Sequence, residues 1–319
     1  MNEHSYAVKE KLISLISKMS VSPQMFVKNP AKDFTRNRKL PFEIVVKLLI
    51  SMGGNSICKE LLKSHGYSLN TPTTSAFVQQ RDKILPSAFE FLFREFTDTF
   101  NDVKTYRGYR LLAADGSDLY FATDPDDSDT YLQTRADAKG YNILHLNALY
   151  DICNRLYVDA SVQPTRLSNE KRAIVDMVDR SHITEKAIII ADRYYESYNI
   201  FAHIGRKGWN YLIRLKDVDS NGILSGLSLP SDGEFDVCVQ RIITRRHTNE
   251  IKAHPDIYRF LSNKSTFDFL DLDYKTQFYP ISFRIVRLKI DDDFYETLIT
   301  NLDASDFPPD ELKELYSMR

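Results

Sequence analysis

The chain has 319 residues, 43% of them hydrophobic and 27% charged, which is the make-up of a soluble globular protein with room for two or three domains. No apolar run approaches the roughly 20 residues needed to cross a bilayer. The three cysteines, Cys58, Cys153 and Cys238, are widely spaced and form no Cys-x-x-Cys pair, which argues against a disulfide framework or a zinc ribbon.

The formal net charge of −2 hides an asymmetry. Residues 1–110 hold 17 Lys+Arg against 10 Asp+Glu, a balance of +7, and the remainder carries −9. A basic first third on an acidic body points to a polyanionic partner for that third, although ordinary variation in surface charge gives the same pattern. Met1-Asn2-Glu3-His4-Ser5 lacks the basic-then-apolar layout of a secretory leader, so a reducing cytoplasm is expected.

Residues 1–105 read as helical. Leu12, Ile13, Leu15 and Ile16 give Val8–Met19 a helical stripe. Pro41 opens a helix over Phe42–Ile50, Gly53-Gly54 breaks it, and Asn55 or Ser56 caps the next over Ile57–Ser64. Thr71-Pro72-Thr73-Thr74 starts a helix over Ser75–Leu85, and Pro86 starts another through Phe100. Short helices separated by tight turns match a helix-turn-helix arrangement, and equally a plain helical bundle.

From residue 109 the pattern becomes strand-like. Arg110–Ala114 and Asp118–Ala122 read as two strands around an Asp115-Gly116-Ser117 turn, and Asn142–Tyr150 and Arg155–Gln163 as two more. Residues 168–180 read as a helix and Lys186–Ala191 as a strand buried on both faces. Ser197 caps a helix through His203, and Tyr211–Leu215 is a further strand. Residues 218–280 read as a β-rich insertion. Strands Ile281–Ile290 and Tyr295–Leu302 follow, joined by Asp291-Asp292-Asp293, and a last helix starts at Pro308-Pro309-Asp310. This order predicts an α/β sheet of mixed direction.

Two segments carry the candidate chemistry. Leu111–Gly116 and Ile188–Arg193 each run a short apolar stretch directly into a carboxylate, Asp115 and Asp192, at the expected carboxyl end of a strand. Ligand sites of open α/β sheets form at that edge. Two such aspartates on neighbouring strands can hold hard, oxygen-preferring Mg²⁺ or Mn²⁺ for phosphodiester attack. Periodicity alone allows the plainer alternative, a hairpin turn at Asp115-Gly116 and a strand-end cap at Asp192. Arg193 reaches either a scissile-strand phosphate or a structural carboxylate. Tyr195, Tyr198 and Trp209 are read as core aromatics before base-stacking ones, and His145 as a core histidine. Asp124, Asp126, Asp127 and Asp129 form a solvated acidic loop. In the first third, Arg36, Arg38 and Lys39 are a compact basic cluster suited to phosphates, and Gln79, Gln80, Arg81 and Lys83 lie on a short helix from which base edges or phosphates can be reached.

Several short stretches occur together in one order: Asp33–Phe42, Ser51-Met52-Gly53-Gly54, Phe77–Lys83, Ala114-Asp115-Gly116-Ser117, His145–Tyr150, Ala191–Asn199 and Thr300-Asn301-Leu302. In these the chain resembles bacterial insertion-sequence transposases of the DDE class, in the group with a Tyr-x-x-Arg-x-x-x-Glu-x(6)-Lys signature. The resemblance implies an RNase H-like mixed α/β core with a β-rich insertion, preceded by an all-helical N-terminal domain. It implies a helical DNA-binding domain over 1–108, the first part of the catalytic core over 109–217, the insertion over 218–280, and a return to the core with a truncated last helix over 281–319.

On this resemblance Asp115 and Asp192 are the first two catalytic carboxylates and the metal ligands, with two Mg²⁺ or Mn²⁺ ions in the complete site. Tyr316 and Arg319 open the signature and contact DNA near the transposon end. The signature's glutamate falls four residues past Arg319, so a catalytic set incomplete within these residues is expected. The implied partners are double-stranded DNA, as terminal inverted repeats and target, and a second copy of the chain in the DNA complex. The implied location is the bacterial cytoplasm, with the nucleoid and away from the membrane. A truncated, non-catalytic DNA-binding remnant or inhibitor is the alternative.

Overall fold

Helical spacing in the first third and strand alternation after it separate into two units, Met1–Asp102 and Val103–Arg319, in a computed structural model of the chain. The structure describes residues 3–36, 38–100, 103–216, 222–230, 233–291 and 294–319. Asn37 of the first matching stretch, residues 217–221 and 231–232 at and within the expected insertion, and the Asp292-Asp293 turn lie outside the described residues.

The first unit contains helices α1 (Glu3–Val21), α2 (Phe42–Ser51), α3 (Ile57–Ser64), α4 (Thr74–Arg81) and α5 (Ser87–Asp98). Pro41 stands immediately ahead of α2. Ser56 caps α3 by accepting from the Lys59 N–H, and Thr73 caps α4 by accepting from the Ala76 N–H. Ile16, Met19, Phe42, Val45, Val46, Leu61, Phe77 and Leu92 meet in a buried core of their own. Each such side chain contributes about 1.5–3 kcal/mol of burial.

The second unit is built on one mixed sheet. Its strands are β1 (Arg110–Phe121), β2 (Tyr131–Leu132), β3 (Tyr141–Asp151), β4 (Leu156–Pro164), β5 (Ala187–Ala191), β6 (Asn210–Arg214), β7 (Phe235–Thr244), β8 (Tyr258–Phe260), β9 (Phe278–Asp291) and β10 (Phe294–Thr300). Their order is β2-β3-β1-β5-β6-β10-β9-β7-β8, with β4 also paired to β3. β1, β5 and β6 are parallel, and antiparallel strands flank them on both sides. Helices α6 (Glu170–Arg180), α7 (Tyr198–Arg206), α8 (Asn249–Ala253) and α9 (Pro309–Ser317) complete the unit.

The β-branched run of β5 explains its central place. Ala187, Ile189 and Ala191 pack into one core with Ile174 and Val178 of α6 and Ile200 and Ile204 of α7. Ile188 and Ile190 pack on the opposite face with Leu312 and Leu315 of α9. A strand covered by helices on both sides carries apolar residues without alternation.

Two expectations need correction. Asp115-Gly116-Ser117 is not a turn, because β1 runs unbroken for 12 residues. β3 pairs with it through the expected turn, Asp115 opposite Ala148 and Gly116 opposite Asn147, and that ladder overrides the local Asp-Gly-Ser signal. Ser197 stands at the N-cap of α7, but its side chain makes no capping hydrogen bond. Within the expected insertion, β7 and β8 extend the main sheet, β7 pairing along β9 from Phe235 opposite Arg287 to Thr244 opposite Phe278.

Candidate active site

The parallel register of β1 and β5 sets the geometry. Ala113 lies opposite Ile190 in the last pair of that ladder, and Asp115 and Asp192 each follow two residues later, Asp115 within β1 and Asp192 one residue past the end of β5. Adjacent strands run about 4.8 Å apart, so the two carboxylates project from neighbouring positions where β5 ends. Asp192 turns its Oδ1 back to accept from the Tyr194 N–H at 2.8 Å, capping a single 3₁₀ turn over Arg193–Tyr195. The strand-end cap that periodicity allowed at Asp192 is therefore present, and it engages one of two oxygens.

Alternation along β1 divides the neighbours of Asp115 and Gly116 between the two sheet faces. Asp115 meets Arg319, at the end of α9, with Nη2 to Oδ1 at 3.3 Å. Gly116 meets the opposite face, where a Cβ in its place would lie 2.8 Å from His145 Nε2 and 3.0 Å from Glu170 Oε2. Glycine inside this strand permits that close approach.

His145 faces Asp118 across the β3–β1 ladder, with Nδ1 2.9 Å from Asp118 Oδ1. Its Nε2 lies 3.1 Å from Glu170 Oε1. Burial pushes the Glu170 carboxyl above the usual carboxylate range. His145 opposes this, and Asp192, Asp115 and Asp118 add to it.

Tyr195 and Tyr316 close the site. Burial raises the Tyr195 hydroxyl, with Glu170, Asp115 and Asp192 adding and Arg319 opposing. Burial raises Tyr316 as well, Arg319 and Arg214 pulling down while Glu296 and Asp192 push up. Arg319, two residues past the end of α9, thus reaches Asp115, and Tyr316 lies in the last turn of that helix. The first turn of α9 is anchored ahead of β1 by Glu311, which accepts from the Tyr106 hydroxyl at 2.8 Å and pairs with Arg107 at 2.6 Å.

The remaining sequence candidates fall in various places. Arg193 is exposed beside the site, whereas Tyr195, Tyr198 and Trp209 are buried. In the first unit, Arg36, Arg38, Lys39, Gln79 and Arg81 are exposed. Gln80 departs from its expected role, being buried and accepting from Lys83 Nζ at 3.1 Å, so its amide is turned away from solvent. Sequence reading missed Glu170 and Asp118. Glu170 opens α6 directly after its Asn169 cap, and only the tertiary fold shows that this turn abuts Gly116.

The donor chemistry at Asp115 and Asp192 suits a hard divalent cation, and the negative field there already draws the Arg319 guanidinium. Among the described residues, no three His, Cys, Asp or Glu side chains converge tightly enough to form a ready-made ligand set.

The transposase DDE domain family matches residues 106–319, two thirds of the chain. The chain belongs to this family. DDE transposases are enzymes that cut and join DNA strands, and in general they use divalent metal ions. No curated protein matches the chain. Among solved structures, the cryo-electron microscopy structure of a piggyBac transposase synaptic complex with hairpin DNA is similar at 10% identity and a TM-score of 0.42, covering 96% of this chain. The chain spans 64% of the length of that protein. No helix among the described residues of this DDE transposase is long and apolar enough to cross a membrane.

Proposed function

We propose that the chain is the transposase of a bacterial insertion sequence, with an RNase H-like core that cuts and transfers DNA strands at Asp115 and Asp192. One observation carries the reading: the parallel β1–β5 register that sets two carboxylates at neighbouring strand positions, within the segment matched by the DDE family. Asp115 and Asp192 would hold Mg²⁺ or Mn²⁺, which when bound supplies activation of the attacking hydroxyl and neutralisation of the leaving oxygen. Arg319, Tyr316 and Arg193 bind the scissile strand and hold its phosphates against the aspartates. Tyr195 excludes water from beneath them.

The helical N-terminal domain, taken as residues 1–108, binds terminal inverted repeats through Arg36, Arg38, Lys39, Gln79, Arg81 and Lys83, and two copies assemble on paired ends. Residues 1–319 are expected to bind transposon ends. The test uses duplex DNA taken from the borders of the element that carries the gene. Binding is measured by mobility shift, and cleavage with Mg²⁺ by denaturing gel. End-specific binding is expected, together with loss of any residual cleavage in Asp115→Ala and Asp192→Ala. Efficient Mg²⁺-dependent cleavage that survives Asp115→Ala sinks the assignment.

A further inference from the structure

We propose that a cationic cavity where β7 ends is a further DNA-strand site, in which Arg246 and Lys275 hold backbone phosphates and the rings of Phe260 and His247 hold an adjoining base. The proposal rests on the reading of the chain as a transposase that binds DNA, and adds a contact that neither the helical unit nor the aspartate pair supplies.

The ladders build the cavity and keep it apart from the aspartates. Thr244, the last residue of β7, pairs with Phe260, the last residue of β8, so Arg245, Arg246 and His247 emerge beside that ring. The Thr244 hydroxyl donates to the Gln277 carbonyl at 3.0 Å, which brings the stretch holding Lys275 to the same end. Ile190 lies level with Leu212, Thr300, Arg284 and Cys238 across β5, β6, β10, β9 and β7. Asp192 stands two residues above that line. β7 runs the other way, and Thr244 stands six residues below it. At about 3.3 Å per residue the two sites are roughly 25 Å apart along the strands, and they share no side chain.

Three observations make the cavity an anion site with a place for a base. Its volume is about 550 Å³, and Arg245, Arg246, His247, Asn263 and Lys275 line it together with Phe260 and two hydroxyl side chains, with no carboxylate among them. Arg245 is 4% exposed and donates only to carbonyls, those of Ser262 at 2.7 Å, Ser265 at 3.1 Å, Phe267 at 3.3 Å and Leu270 at 3.4 Å. Carbonyls satisfy its N–H groups but carry no net charge, so a positive charge stands in the wall where water screens it least. Arg246 and Lys275 are exposed, and neither has an acidic partner among the described residues. Beside them the exposed rings of His247 and Phe260 lie 4.4 Å apart at 32°. A bare phosphate calls for cations alone. Exposed rings beside fixed cations are how proteins hold a nucleic-acid strand, the base on the ring and the backbone on the charges.

The experiment uses the 319-residue chain and random-sequence single-stranded DNA carrying iododeoxyuridine. Near-ultraviolet light joins this base to an aromatic ring it stacks on, and peptide mass mapping locates the joint. A link to His247 or Phe260 is expected. Anisotropy over a salt series and melting temperatures are recorded for the natural chain, Phe260→Leu and the double variant Arg246→Ala/Lys275→Ala. The double variant should reduce the slope of log K against log salt by about 1.4, two contacts at about 0.7 each on a single strand. Phe260→Leu should weaken binding about five- to tenfold and leave the slope unchanged. Millimolar deoxyadenosine monophosphate should leave the link in place. If it abolishes the link, the cavity takes free nucleotides and the strand assignment falls. If DNA binds but links only within Met1–Asp102, and the double variant keeps the natural slope, the cavity is overturned and DNA binding by the helical unit stands. If the natural chain binds no DNA, both readings fall. A packing role for Phe260 would lower the melting temperature of Phe260→Leu and leave its DNA affinity intact, which also overturns the proposal.

Discussion

Arg319 Nη2 sits 3.3 Å from Asp115 Oδ1, so the last helix delivers a positive charge to the carboxylate at the centre of the candidate site. Asp115 is largely solvent-exposed, and exposed pairs are worth about 1 kcal/mol at most. Arginine and a divalent cation compete for the same oxygens. Arg319→Ala is therefore expected to tighten Mn²⁺ binding about two- to fivefold and to weaken binding of end DNA. Calorimetry with Mn²⁺ and a DNA mobility shift measure the two effects, which should run in opposite directions.

A second pair governs stability. Asp151 is completely buried and accepts from Arg110 Nε at 2.9 Å on one oxygen, and from the Asn154 N–H and side-chain amide on the other. It ties the start of β1 to the β3–β4 connection. Asp151→Ala leaves the Arg110 guanidinium buried without its counterion, which typically costs about 3–5 kcal/mol. Urea unfolding should show a lowered midpoint for the second unit, while the helical unit keeps its own transition.

Acid sensitivity has a nameable source. Burial alone pushes the Asp268 carboxyl up, but hydrogen bonds from Asn199 and His203 and the charges of Arg172 and His203 outweigh it and hold the group below its ordinary value of 3.8. A depressed carboxylate contributes stability that is fully present above 3.8 and is lost as pH falls through the lower folded value. Asp268 links α6 and α7 through Arg172, Asn199 and His203, so acid should loosen that layer. Melting temperatures of the natural chain should fall below about pH 4 more steeply than those of Asp268→Asn, whose curve starts lower and is flatter over that interval.

For the first unit the expectation concerns salt. Arg36 and Arg38 are exposed and, on the proposed function, contact phosphates. Each alanine substitution should weaken DNA binding to any sequence and reduce the slope of log K against log salt by about one. Fluorescence anisotropy across a salt series checks this. A change confined to one DNA sequence would assign these arginines to base edges instead.

Much of this architecture was legible because it rests on period. The helix over Ile57–Ser64 and the doubly buried β5 follow from spacing and caps that local chemistry dictates. The Asp115-Gly116-Ser117 stretch shows where that logic stops. Its composition is that of a turn, yet the glycine is there because His145 and Glu170 lie against its backbone. The same holds for Asp151, which reads as a turn residue and does begin one, while its partner Arg110 lies 41 positions away. At the candidate site, Asp115 and Asp192 were visible as carboxylates ending apolar runs. Glu170 was not, since an acidic residue in a first helical turn has an ordinary explanation in the helix dipole. Gln80 failed the other way, a polar residue on a short helix whose burial no local pattern announces.

The pairing of β9 on both sides has an engineering consequence. β10 holds one edge of this 14-residue strand and β7 holds the other. Excising residues 218–277, up to the start of β9, to obtain a minimal nuclease would strip β7 away and bare a long ladder of unsatisfied amides and carbonyls, the kind of border along which chains stack into aggregates. A trimmed version of this enzyme needs a surrogate strand or a charged, proline-bearing border along β9 before it can remain in solution.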